Sequence, residues 1–170
     1  MIIRREKSEE LSAIYDLVKA AFQTAKVSNG KEQDFVNKLR SGRNYIPELA
    51  LVAEENSKLI GHIMLTKAYI AKDGNNFEAL LLAPVSVALE YRDRGVGSAL
   101  IKESFRLARE LGYTSVVLVG DPEYYKRFGF KSLIDFGVKN TNNIPDEYVM
   151  VYELEPDVLY GINGTIDFET

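Results

Sequence analysis

The chain has 170 residues with a formal net charge of −4, 46% hydrophobic and 27% charged residues, no cysteine and one histidine. That length suits one domain with a sizeable core, and the composition is that of an ordinary soluble globular protein. The absence of cysteine excludes disulfides, thiolate metal sites and a cysteine nucleophile, and one histidine argues against a zinc cluster, so no metal is expected. The acidic balance argues against general nucleic-acid binding. No run approaches the ~18–20 apolar residues of a membrane span. Met1–Lys7 has no apolar core like that of a signal peptide, so no membrane partner is expected and a cytoplasmic location is the default.

Ile2-Ile3-Arg4-Arg5 reads as a short strand. Ser8 can cap a helix over residues 9–22, with Glu9 and Glu10 in its first turn and Leu11, Ile14, Tyr15, Val18 and Phe22 along one face. A polar break from Lys26 to Asn29 leads to a second helix near Lys31–Leu39. Leu49–Glu55 and Leu59–Ile70 read as antiparallel strands about the turn Asn56-Ser57-Lys58. After the tight turn Asp73–Asn76, Phe77–Leu89 reads as a central strand buried on both faces. Pro84 cannot donate to a ladder, which predicts a bulge or break near it. The clearest helix covers 95–111 and stops at Gly112. Ser115–Val119 is a short buried strand, parallel to the one before the helix. Asp121-Pro122 starts a short helix through Phe128 that Gly129 stops, and Tyr148–Leu154 is a late strand. No repeat or domain linker divides the chain, so one domain over 1–170 is expected.

The most informative stretch joins an apolar strand to Arg92-Asp93-Arg94-Gly95-Val96-Gly97-Ser98 and a long amphipathic helix. The amides of a Gly-rich turn at a helix N-terminus have no intrahelical partner and converge on one spot, which suits a phosphate. A bare Gly-x-Gly turn is weak evidence. Its place between strand and helix, and Tyr124-Tyr125-Lys126-Arg127-Phe128-Gly129-Phe130 about thirty residues on, strengthen it.

This order of parts resembles the GNAT superfamily of N-acetyltransferases, most strongly over 80–130. The resemblance implies an α/β fold with a mixed, mostly antiparallel sheet, helices on both faces, and a splay between two parallel central strands. It implies acetyl-coenzyme A (acetyl-CoA) as cosubstrate and a primary amine of a small molecule or peptide as acceptor. The pyrophosphate would meet the donors around Arg92, Asp93, Arg94, Gly95, Val96, Gly97 and Ser98. The pantetheine amides would pair with the backbone of Val85 and Val87, and the Val85 N–H would polarise the thioester carbonyl. Tyr125, four positions before Gly129, would serve the departing thiolate as general acid. Its neighbour Tyr124 competes for that role, since adjacent helical residues point about 100° apart.

Two departures matter. Many members carry an asparagine after the fifth strand, where this chain has Gly120-Asp121-Pro122; Asp121 reads more simply as a helix cap. Histone-type members place a glutamate base where this chain has Leu81. Deprotonation then falls to water or to a carboxylate such as Glu54 or Glu55, each of which also reads as a solvated charge. Arg92 and Arg94 can be cofactor contacts or surface charges, Arg92 at the motif position being the better contact; Ser86 can touch substrate or pack, and a lone histidine in a strand, His62, is more often structural. Residues 22–34 and 136–148 border the acceptor site in this family, and Lys139–Asn143 reads as a rim or a plain loop.

A non-catalytic acyl-CoA-binding sensor module is the competing reading, which the missing glutamate permits and Tyr125 opposes. In a doubly wound nucleotide-binding domain the Gly-x-Gly would stand in the first βα turn, earlier than it does here. The acceptor, the base and the oligomeric state are open, a homodimer included.

Overall fold

The computed structural model describes residues 1–169. In chain order the elements are β1 (Ile2–Arg5), α1 (Leu11–Phe22), α2 (Glu32–Arg40), β2 (Ala50–Glu55), β3 (Lys58–Lys72), β4 (Asn75–Leu82), β5 (Ser86–Val87), α3 (Val96–Glu110), β6 (Ser115–Val119), α4 (Pro122–Tyr125), β7 (Lys131–Ser132), β8 (Lys139–Asn140), β9 (Val149–Glu153) and β10 (Thr165–Ile166). Contacts divide the chain into two compact units. One holds Met1–Thr66 and Leu82–Ala108; the other holds Lys67–Leu81 and the described residues from Arg109 on, 109–169.

In the first unit β1, β2, β3 and β5 pair antiparallel, β2 lying between β1 and β3 and β3 between β2 and β5. Asn56 and Ser57, at φ 52° and 62°, make the tight turn between β2 and β3. Ala50, Val52 and Met64 share one face with Ala83, and onto it α1 and α2 place Ile14, Val18 and Val36. The opposite face meets α3: a β-carbon added at Gly61 would lie 2.9 Å from Leu100 and 3.0 Å from Val96. Helices therefore cover both faces of this sheet, as the resemblance implies.

The start of the first helix differs from expectation. Ser8–Glu10 forms a 3-10 turn before α1, and Ser8 caps nothing. The Glu10 carboxylate instead turns back to accept the Lys7 amide at 2.9 Å and the Arg4 guanidinium at 2.6 Å. Those bonds tighten the first turn.

The central strand is interrupted, as Pro84 predicts. β4 ends at Leu82, and the Ala83 amide donates to the Met64 carbonyl at 2.8 Å. Regular pairing with β3 resumes only at His62↔Ser86 and Gly61↔Val87. The burial of β4 on both faces is confined to Ala79–Leu82; Asn75–Glu78 is exposed.

In the second unit β4 runs parallel to β6 over Leu80↔Val116 and Leu81↔Val117, with α3 in the connection between them. β6 pairs antiparallel with β9, and β9 with β7. The far end of β3 pairs with β10, which runs parallel to β8. The stretch read as a rim or loop is thus tied into a sheet. Asn140 Oδ1 accepts the amides of Asn142 and Ile144, each at 3.0 Å, and Asn142 bonds Asp167 and the Phe168 amide. No described helix is long and apolar enough to cross a membrane.

Candidate active site

The strand-to-helix turn has the geometry an anion needs. Asp93 and Gly95 take left-handed φ of 61° and 79°, which reverse the chain within a few residues. The first intrahelical bond of α3 runs from the Ala99 amide to the Gly95 carbonyl at 3.0 Å. The amides of Val96, Gly97 and Ser98 therefore precede any helical acceptor. No acidic side chain stands in that first turn, so the positive end of the helix dipole is uncompensated.

The arginines of the motif divide their work. Arg92 caps the end of α1, with Nη2 2.6 Å from the Ala21 carbonyl and Nη1 2.9 Å from Thr24 Oγ1. Its guanidinium satisfies a C-terminal carbonyl that would otherwise be orphaned. Arg94 lies over the Tyr91 ring at 5.4 Å. Its motif position makes Arg92 the expected phosphate contact, and nothing local in the sequence signals its tie to Ala21.

Gly61 is a further determinant that the sequence reading passed over, although a lone glycine in a strand is a sign of close approach. Gly61→Val would press a side chain into Leu100, Val96 and the Ser86 carbonyl, the last 3.2 Å from an added β-carbon. Overpacking of this kind costs roughly 1–3 kcal/mol. The expected result is a lower urea midpoint together with weakened ligand binding at the α3 turn; unchanged stability would show that α3 does not rest on Gly61.

The backbone of β5 alternates in a useful way. Ser86 pairs with His62, and the Ala88 amide donates to the Ile60 carbonyl at 2.8 Å. The N–H groups of 86 and 88 thus point to β3, so those of Val85 and Val87 point away from it. On that other edge β5 has no strand partner among the described residues. Both valines are half-buried.

In the second unit, Asp121 caps α4 by accepting the Glu123 amide at 3.0 Å, which supports the cap reading of that residue. Tyr125 is buried, with its ring edge-on to Phe130 at 5.6 Å and to Tyr124 at 4.9 Å. Gly120 is the floor for that ring: an added β-carbon would stand 2.8 Å from Tyr125 Cε2. Tyr124 is half-buried beneath the Arg127 guanidinium, 4.2 Å from its ring. The two rings meet edge to face, and Tyr125 is the buried one of the pair. Phe130 is core, while Phe128 is half-buried.

The candidate carboxylate bases are otherwise occupied or exposed. Glu54 accepts from Arg4 at 2.7 Å, and Glu55 stands 3.9 Å from the N-terminal ammonium. Leu81 is buried.

His62 is fully buried, and its Nε2 lies 2.9 Å from Glu6 Oε1. Arg40 Nε reaches Glu6 Oε2 at 2.5 Å. Burial alone would raise the Glu6 carboxyl, but hydrogen bonds from His62 and Arg40 outweigh it and hold the pKa at about 2. Burial also lowers the His62 pKa, against the pull of Glu6. Both groups favour the native state at neutral pH. The His62 contribution fades as pH drops below about 6.5, where the unfolded imidazole takes a proton that the folded one resists. The Glu6 contribution, on the order of 3 kcal/mol, is present above about pH 4.5 and fades as pH falls toward about 2. Urea unfolding is therefore expected to show stability falling from about pH 6.5 downward, with His62→Gln removing the first part of that fall. A profile flat from pH 7 to pH 5 would contradict the buried neutral histidine.

Comparisons with known proteins identify the family. Residues 2–133 match the family described as Acetyltransferase (GNAT) domain. The chain is 34% identical to the uncharacterized N-acetyltransferase YjhQ of Escherichia coli K12 over 119 residues, 69% of this chain and 66% of that protein. It is 27% identical to YhbS, another uncharacterized N-acetyltransferase of that strain, over 169 residues, 99% of this chain and 96% of YhbS. The crystal structure of E. coli YhbS in complex with CoA superposes with a TM-score of 0.86 at 26% identity, covering 98% of this chain and 88% of that one. A GNAT family acetyltransferase from Brucella melitensis, in complex with acetyl-CoA, gives 0.73 at 32% identity, covering 91% and 88%. The chain belongs to the GNAT acetyltransferase family.

Proposed function

We propose that this protein moves the acetyl group of acetyl-CoA directly to a primary amine of a small molecule or a peptide, and that residues 1–170 act as one acetyltransferase domain. The observation that carries this is the open edge of β5, where the Val85 and Val87 amides point away from β3 just before the cradle at Arg92–Ser98. Amide donors there suit the amides of a pantetheine arm, and the uncompensated start of α3 suits a pyrophosphate. The acetyl-CoA and CoA complexes of two similar proteins support the same choice of cosubstrate.

In this reading the amine nitrogen attacks the thioester carbonyl carbon. The Val85 N–H donates to the carbonyl oxygen as charge grows on it, an interaction worth roughly 3–4 kcal/mol where one such donor is removed. Tyr125 donates to the departing sulfur; tyrosines ordinarily titrate near ~10 and thiols near ~8.5. Arg94 and the amides of Val96, Gly97 and Ser98 hold phosphate, and Arg92 fixes the turn against α1.

The test is release of free thiol from acetyl-CoA across a panel of aliphatic amines, amino sugars and peptides with free N-termini. Amine-dependent release supports transfer. Tight acetyl-CoA binding with no release for any amine would favour the sensor reading.

A further inference from the structure

Two separate devices in the second unit place Tyr125, one acting on its backbone and one on its ring. The amides of Tyr124 and Tyr125 donate to the Asp121 carbonyl at 3.1 and 3.2 Å, and the Asp121 side chain holds the Glu123 amide at 3.0 Å. Pro122, the first residue of α4, brings a φ already suited to a helix. These bonds fix the start of α4 and with it the backbone of Tyr125. They leave the direction of the ring to packing.

Phe130 meets the ring edge-on at 5.6 Å and Tyr124 at 4.9 Å. Phe130 rests in turn on Tyr152 of β9 at 5.8 Å, and Tyr124 lies beneath Arg127 at 4.2 Å. Neither neighbour is therefore at liberty to follow the ring. The bare α-carbon of Gly120 supplies a further wall: a β-carbon there would lie 2.8 Å from Tyr125 Cε2 and 3.3 Å from its Cδ2.

Gly120 has no conformational need to be glycine, since its φ lies outside the left-handed region. Its amide donates to the Tyr148 carbonyl at 2.9 Å, which continues the ladder past Val119↔Val149 and keeps the backbone from backing away from a new side chain. An alanine would therefore push the ring. Carbon–carbon contacts are ordinarily about 3.5–4.0 Å, so Cε2 would have to shift by roughly 0.7 Å or more. Cε2 is bonded to the carbon that bears the hydroxyl, and the hydroxyl moves with it. Gly120 also opens the segment in which this chain departs from the family's asparagine.

We propose that Gly120, with Phe130 beside it, is a positioning residue for acetyl transfer: its missing side chain sets where the Tyr125 hydroxyl stands. The role rests on the reading of Tyr125 as the donor to the departing sulfur. A general acid works only within hydrogen-bond reach of the atom it serves, and a misplacement of about 1 Å can cost about 100-fold in rate.

Turnover is read as thiol release with the amine that reacts fastest, and acetyl-CoA affinity by isothermal titration. Gly120→Ala is expected to lower kcat about 10- to 100-fold, with acetyl-CoA affinity within about threefold of the parent. The decisive comparison is the Tyr125→Phe background. Phenylalanine keeps Cε2, so Gly120→Ala is expected to lower the melting temperature in both backgrounds; with no hydroxyl to misplace, it changes kcat by less than about twofold in the second. A parent-like kcat in Gly120→Ala, or an equal loss of kcat in both backgrounds, would overturn the role. A parent-like kcat in Tyr125→Phe would defeat the reading of Tyr125 and the role with it. Failure of every amine to react would bear on the acetyl-transfer reading alone, and spectra of ring-labelled tyrosine then decide the placement. The signal absent from Tyr125→Phe is expected to move in Gly120→Ala more than that of any other tyrosine, and an unmoved signal overturns the role. Phe130→Leu, which loosens the ring on a second side, serves in the same comparison if Gly120→Ala does not fold. Its kcat is expected to fall only where the hydroxyl is present, and a parent-like kcat would overturn the role.

Discussion

Gly97→Glu is expected to weaken acetyl-CoA binding by at least about 100-fold, roughly 2.7 kcal/mol, in a protein that still folds. Gly97 is the second residue of α3, inside the turn whose amides precede the Gly95–Ala99 bond. A carboxylate there occupies the space an anion would take and repels it. The same charge near a helix N-terminus favours the helix by roughly 0.3–1 kcal/mol, which offsets part of the cost of the larger side chain. Isothermal titration with acetyl-CoA reads the affinity, and the unliganded melting temperature reads the fold. Unchanged affinity in a folded variant would remove the cradle from the account.

Tyr125→Phe is expected to lower kcat about 100-fold or more while acetyl-CoA affinity stays within about threefold. Removing an acid from the transition state costs rate, typically by 10²–10⁴, where removing a ground-state contact costs affinity. The phenyl ring keeps the edge-on packing on Phe130 and the seat over Gly120. Tyr124→Phe, at the half-buried position under Arg127, is expected to stay close to the parent. If Tyr124→Phe loses turnover instead, the two tyrosines have exchanged roles.

The parts legible in the sequence were those that local chemistry dictates. The period of Leu100, Phe105 and Ala108 with Gly112 beyond announced α3, and Pro84 announced the break that leaves β5 short. Asp121 before Pro122 announced its cap. What stayed hidden depends on residues far apart in the chain. Arg92 spends its guanidinium on Ala21 and Thr24, and Glu6 joins Arg40 to His62. No pattern within a window of the sequence links those positions. The two-residue strands β7, β8 and β10 are too short to carry an alternation. The Ser8 cap misled because Glu10 competes for the same end of the helix and also answers Arg4. Gly61 was visible as a glycine within a strand, but its meaning depends on α3 arriving from a distant part of the chain.

The central claim, that the turn at Arg92–Ser98 and the open edge of β5 serve acetyl-CoA, is tested most directly by thermal unfolding with and without acetyl-CoA, with NAD as control. At a hundred times its dissociation constant the ligand stabilises the folded state by roughly 2.7 kcal/mol. For a chain of this size that is a rise of about 5–10 °C, with none expected from NAD. No shift at millimolar acetyl-CoA, or an equal shift with NAD, would contradict the account.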